Sequence, residues 1–202
     1  MAQGVWVKVF PPPPVVKPEL PGLGGWADVT AASVSPTTYT DAAGVAWKCW
    51  TFLADGSLTL TAGMLDVLVV GGGGYGSSIQ PGAGARIHHG ATLFPAGVHP
   101  VAVSDGGNYT VDQSASPSSI GTVVICPSTG NATVASAAAS VTGAGGTVAN
   151  PKLGYTSSIT GTPVTYATAA VAAPAPNTGD GAGRPVLTGN GSTGIVVVRR
   201  PA

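Results

Sequence analysis

Asp66-Val67-Leu68-Val69-Val70-Gly71-Gly72-Gly73-Gly74-Tyr75-Gly76 joins an apolar, strand-like run to a glycine cluster, and the residues after the glycines decide the fold. Gly71, Gly73 and Gly76 meet the G-x-G-x-x-G spacing of a dinucleotide-binding turn, whose glycines open a helix with its first amides on a pyrophosphate. That helix cannot form here. Pro81, Gly82, Gly84 and Gly90 interrupt the next stretch, and no carboxylate stands about twenty positions on to take a ribose hydroxyl. The stretch therefore reads as a strand ending in a glycine-built loop, and its unbroken apolar run predicts a strand covered on both faces.

Ile195 to Val198 is a run of the same kind, next to Gly194. The two runs are expected to be neighbouring central strands, with Gly71 to Gly74 turning the chain where side chains would obstruct the sheet. On that reading Gly73→Ala is tolerated only if the backbone φ at that position is negative. Trp47 to Phe52 places large side chains at alternate positions, and Asp55-Gly56 then leads into the alternation Leu58, Leu60, Ala62, the signature of a β-hairpin. Val98 to Val103, Thr122 to Cys126 and Val164 to Tyr166 add short β-branched runs bounded by turn residues. Ala135 to Ser140 tolerates a helix but is too short to sustain one. The fold class is all-β, a sandwich or jelly-roll-like body over residues 25–202 with long glycine-, alanine- and serine-rich loops.

Residues 1–24 read as an extended arm. Val5 to Phe10 alternates like a strand and stops at Pro11 to Pro14, a polyproline spacer that Pro18 and Pro21 prolong. So short a segment cannot build its own core, so Trp6 and Phe10 are the candidate assembly contacts, packing on a neighbouring subunit or on a particle.

Lysine and arginine number 8, aspartate and glutamate 8, together 8% of 202 residues, where soluble domains carry about a quarter. A surface this neutral has weak colloidal protection, which predicts association with copies of itself or with other proteins. No basic cluster exceeds Arg199-Arg200, which argues against nucleic acid and anionic lipid as partners. No apolar run approaches a bilayer's thickness, and Met1 to Trp6 lacks the basic and apolar regions of a secretion signal. From Gln113 to Pro151 there is no charge at all, so packing there falls to the backbone.

Candidate chemistry is sparse. Cys49 and Cys126 lack metal spacing and read as buried free thiols. His88 and His89 would point apart on a strand, so with His99 they read as surface or subunit-contact residues rather than metal ligands. No G-x-S-x-G elbow or glycosidase carboxylate pair is placed, and no enzymatic activity or cofactor is expected. Tyr75, Tyr109 and Tyr155 are the candidate glycan contacts, because exposed tyrosine rings stack on sugars.

Leu65 to Gly74, then Val98 to Gly107, a small-residue middle, and Gly191-Ser192-Thr193-Gly194-Ile195-Val196-Val197-Val198-Arg199 resemble the glycine-rich domain of bacteriophage minor tail proteins, of the actinobacterial phage type. The resemblance covers roughly residues 37–200. Its marks are the paired segments Asp66 to Gly74 and Gly194 to Arg199. Family members carry denser glycine runs than Gly143 to Gly146 and Gly179 to Gly183, which argues against a lattice of glycine helices here. The resemblance implies a non-enzymatic virion component, assembled in the bacterial host cytoplasm and built with other phage structural proteins, in the tail or else on the capsid as a decoration or head-fibre protein. A homo-oligomer is expected, with a trimer favoured among closed rings. A host cell-wall glycan is the alternative partner, in a receptor-recognition module.

Overall fold

The computed structural model describes residues 25–76, 82–110, 115–127, 154–169, 171, 174–183 and 189–202. The arm with Trp6 and Phe10, and the stretch Ala135 to Ser140, lie outside them. Within the described residues the chain is all-β, and every paired strand is antiparallel. One five-stranded sheet has the order β2 (Thr37–Thr40), β3 (Ala46–Phe52), β12 (Ile195–Pro201), β5 (Gly63–Val70), β6 (Ile87–Phe94). The other runs β1 (Val29–Ala32), β4 (Gly56–Leu60), β7 (Gly97–Ala102), β8 (Ser118–Ile120), β9 (Val124–Cys126). A hairpin of β10 (Tyr155–Ser157) and β11 (Val164–Tyr166) stands apart from both.

The two apolar runs are neighbours at the heart of the first sheet, as the sequence predicts. Ile195 to Arg199 pairs residue by residue with Val70 to Asp66, while the other edge of β12 pairs with β3. Alternation then sends each strand's side chains to two separate cores. Leu65, Val67, Val69, Val196 and Val198 join Phe52, Leu58, Val101, Ile120 and Val124, so both five-stranded sheets contribute to one cluster. Leu68, Val70, Ile195 and Val197 face the other way, onto Ile159, Tyr166 and Ala167 around the β10–β11 hairpin. Unbroken apolar runs usually signal parallel strands under helices. Here the same hydrophobic demand is met in an antiparallel sheet by a hairpin laid over its outer face.

The hairpin expected from Trp47 to Ala62 does not form. β3 pairs with β2 and β12, and β4 pairs with β1 and β7, so the chain passes from one sheet to the other across Leu53 to Asp55. Trp50, Phe52, Leu58 and Leu60 still share one core, reached from opposite sheets. Alternation records which face a residue buries and says nothing about which strand lies alongside. The crossing is held by Asp55, whose carboxylate accepts the Val103 amide at 2.8 Å.

Val69 is fully buried between β12 and β6. Val69→Asp puts an unpartnered charge into that layer at a cost of several kcal/mol, against a usual stability of about 5–15 kcal/mol. The expected outcome is loss of the cooperative thermal transition in circular dichroism, while Leu93→Asp, at a site 52% exposed, keeps it.

Candidate functional site

Beyond Val70 the chain leaves the sheet as Gly71 to Gly76, all buried, and enters a layer built of backbone. Gly73 donates to the Ser192 carbonyl and accepts from the Gly107 amide. Gly74 donates to Ala83 and accepts from Ala182, and Gly76 donates to Gly189. A strand has two neighbours, whereas this segment bonds to four, and it returns to residues 189–192 after three residues. Three is the period of a polyproline II helix. Residues 179–183 behave alike, bonding through their amides to Thr193, Thr168, Gly74 and Val171. The thinner run Gly179 to Gly183 therefore still supports a backbone-bonded layer, while Gly143 to Gly146 lies outside the described residues. Ala83, Ala182 and Ser192 take part in the same bonds.

Close approach, not φ, sets the glycine requirement at Gly71 to Gly73. None of Gly71 to Gly74 has a positive φ. Yet a Cβ on Gly73 would sit 2.0 Å from the Asp180 carbonyl oxygen, and one on Gly72 would meet Ala115 and Gly106 within 3 Å. The φ condition set for Gly73→Ala is therefore met, and it is packing against Asp180 that opposes the substitution. The nucleotide alternative fails on the same geometry, since the amides of Gly71, Gly73, Gly74 and Gly76 are all donated to backbone carbonyls and none is left to a phosphate.

The candidate glycan contacts separate. Tyr75 and Tyr109 come together at the glycine layer, edge to face with ring centroids 6.0 Å apart. Tyr75 is buried and Tyr109 half-buried, its amide held by the Asn190 side chain at 3.0 Å. Tyr155 lies instead on the β10–β11 hairpin, against His89, with its hydroxyl on His89 Nδ1. The histidines do point apart, but His88 and His99 are buried, which corrects their reading as surface residues. His88 Nε2 bonds the Thr92 hydroxyl at 3.0 Å, and His99 Nε2 bonds the Pro95 carbonyl. Cys49 and Cys126 are free and buried, and burial pushes the Cys126 thiol up to about 12.

A polar cluster under the hairpin escaped sequence reasoning. Asp66 and Arg199 face each other across the β5–β12 pair, with Arg199 Nε and Nη2 both 2.7 Å from Asp66 Oδ2. Arg199 Nη1 donates to the Tyr39 hydroxyl at 2.6 Å, Tyr39 in turn donates to the Ile159 carbonyl, and the guanidinium lies 4.1 Å from the Trp47 ring centroid. Burial opposes the Arg199 charge, but Asp66 and Tyr39 outweigh it and hold its pKa above the ordinary value. Burial likewise raises Tyr39 and Tyr155. The one signal in the sequence was that each apolar run carries one opposite charge at its end. The cluster is internally paired and ties the hairpin to the sheet. Among the described residues no three His, Cys, Asp or Glu side chains gather to hold a metal ion.

No family model, no curated protein and no solved structure matches this chain.

Gly73→Ala should cost about 1–3 kcal/mol by forcing the Asp180 segment away, read as a lowered midpoint in urea. His88 is pushed below its ordinary value of 6.5, first by burial and then by His89. The unfolded chain therefore binds the proton more readily, so stability falls as pH drops below about 6.5 and is level above it. Urea midpoints across that range should show the slope, and His88→Asn should reduce it, the remainder coming from His89, which burial also holds below its ordinary value.

Proposed function

We propose that this chain is a non-enzymatic structural protein of a tailed-phage virion, a minor tail protein that assembles through subunit contacts. The observation that carries the reading is the meeting of its two marks. Within Asp66 to Gly74 and Gly194 to Arg199, residues 66–70 and 195–199 pair as neighbouring strands, and the glycine segments at their ends enter one backbone-bonded layer. Such a layer commits its amides and carbonyls to shape, leaving few directed side chains for chemistry, which suits a rigid building piece. We infer as well that the two five-stranded sheets form a sandwich, since both feed one apolar cluster. Low charge supports assembly, with a trimeric ring as the favoured closed form.

A host-surface glycan module is the second reading, favoured by the Tyr109 ring beside Tyr75, with Asn108 next to it in the chain and the Asn190 side chain hydrogen-bonded to its amide. An aromatic face with neighbouring amides is what a sugar site needs. It does not exclude the first reading, because a tail protein can also touch the host.

Native mass spectrometry of the full chain, paired with its detection in purified particles, checks the structural reading. An oligomer that co-purifies with virions is expected, and a folded monomer found in no particle would sink it. Trp6→Ala should leave the melting transition of the body unchanged and lower incorporation into particles. Tyr109→Ala should leave incorporation intact and, if the glycan reading holds, reduce adsorption to host wall fragments.

A further inference from the structure

Natural sheets guard their edges, because a free strand edge is a row of unpaired amides and carbonyls ready to template another strand. Three of the four outer strands here are guarded by brevity or irregularity. β2 has 4 residues, β9 has 3, and β1 has 4 with its register broken between Val29 and Ala31. β6 differs. It runs 8 residues in unbroken register against β5, from Ile87 to Phe94. It contains no Asp, Glu, Lys, Arg or Pro, and among the described residues no strand pairs with its outer side. Its middle stays accessible, with His89, Gly90 and Ala91 partly exposed and Leu93 52% exposed.

We propose that β6 is a pairing edge for a second copy of this chain, joined antiparallel about a two-fold axis so that two sheets become one. The occupant follows from symmetry and charge. An antiparallel strand pair is self-complementary, each copy giving and taking the same backbone bonds, which is the isologous contact that closed dimers use. β6 brings no formal charge to oppose its copy, and the chain's formal net charge is +0. Alternation puts Ile87, His89, Ala91 and Leu93 on one face, so the join also covers the exposed Leu93 with side chains of the facing strand. The inference does not rest on the phage reading, and it names a two-fold contact distinct from a three-fold ring.

The experiment uses the full-length protein. Hydrogen–deuterium exchange across a concentration series should show amides within 87–94 gaining protection as concentration rises, in step with a doubling of mass in sedimentation velocity. Leu93→Lys and Ala91→Lys, both at accessible positions, should each weaken self-association by roughly tenfold or more, with an unchanged circular dichroism spectrum and melt. Exchange within β6 that ignores concentration overturns the proposal, as does undiminished association of both lysine variants. A trimer that enters particles with β6 unprotected overturns the pairing and leaves the virion reading standing.

Discussion

The insertion of β12 between β3 and β5 is the interaction on which the rest depends. It is the last strand of the chain and the middle strand of its sheet. Without it, the sheet separates into the β2–β3 and β5–β6 pairs, and both apolar clusters lose two β12 valine or isoleucine side chains at their centres. The pairing spans more than a hundred residues of sequence, as the Asp66 and Arg199 partners show. Contacts so distant along the chain make folding slow, because loop closure must precede the gain from burial. During synthesis the sheet cannot close until β12 is made, which leaves unpaired edges open to other chains in the interval.

The glycine layer is a consequence of that sheet rather than an independent unit. Glycine loses more freedom on ordering than any other residue, so a glycine segment needs its ends fixed to hold one conformation. Gly71 continues directly from β5 and Gly194 leads directly into β12, so two neighbouring strands launch two segments of the layer at fixed separation. Backbone bonds from Gly73 to the Ser192 carbonyl and from Gly76 to the Gly189 carbonyl then lock them together. The absence of side chains lets amides and carbonyls meet in several directions at once, which a sheet cannot do.

Polar side chains serve the same architecture. The β10–β11 hairpin brings little area of its own, yet it closes the outer face of the first sheet through Ile159 and Tyr166. Arg199, Asp66 and Tyr39 supply the directed bonds that fix its position, at a site where burial strengthens each charged hydrogen bond. Removing one partner of such a group leaves the other charge poorly compensated, so the pair specifies where the hairpin sits more than it adds stability.

The sequence by itself determined the all-β class, the two central strands and their double covering, because apolar runs and alternation report burial directly. It also excluded the nucleotide loop, since proline and glycine forbid the helix that such a loop opens. It misplaced the partner of β3, because the signature around Asp55-Gly56 describes two strands meeting one core and is silent on whether they lie side by side or face to face. It left His88 and His99 on the surface, although packing buries both with local hydrogen-bond partners. It expected side chains at Gly71 to Gly74 to obstruct the sheet, but could not show that the obstruction at Gly73 comes from Asp180 and its neighbours crossing over the backbone. Side-chain pattern along a chain encodes which face is covered; which backbone does the covering is decided only when distant segments pack.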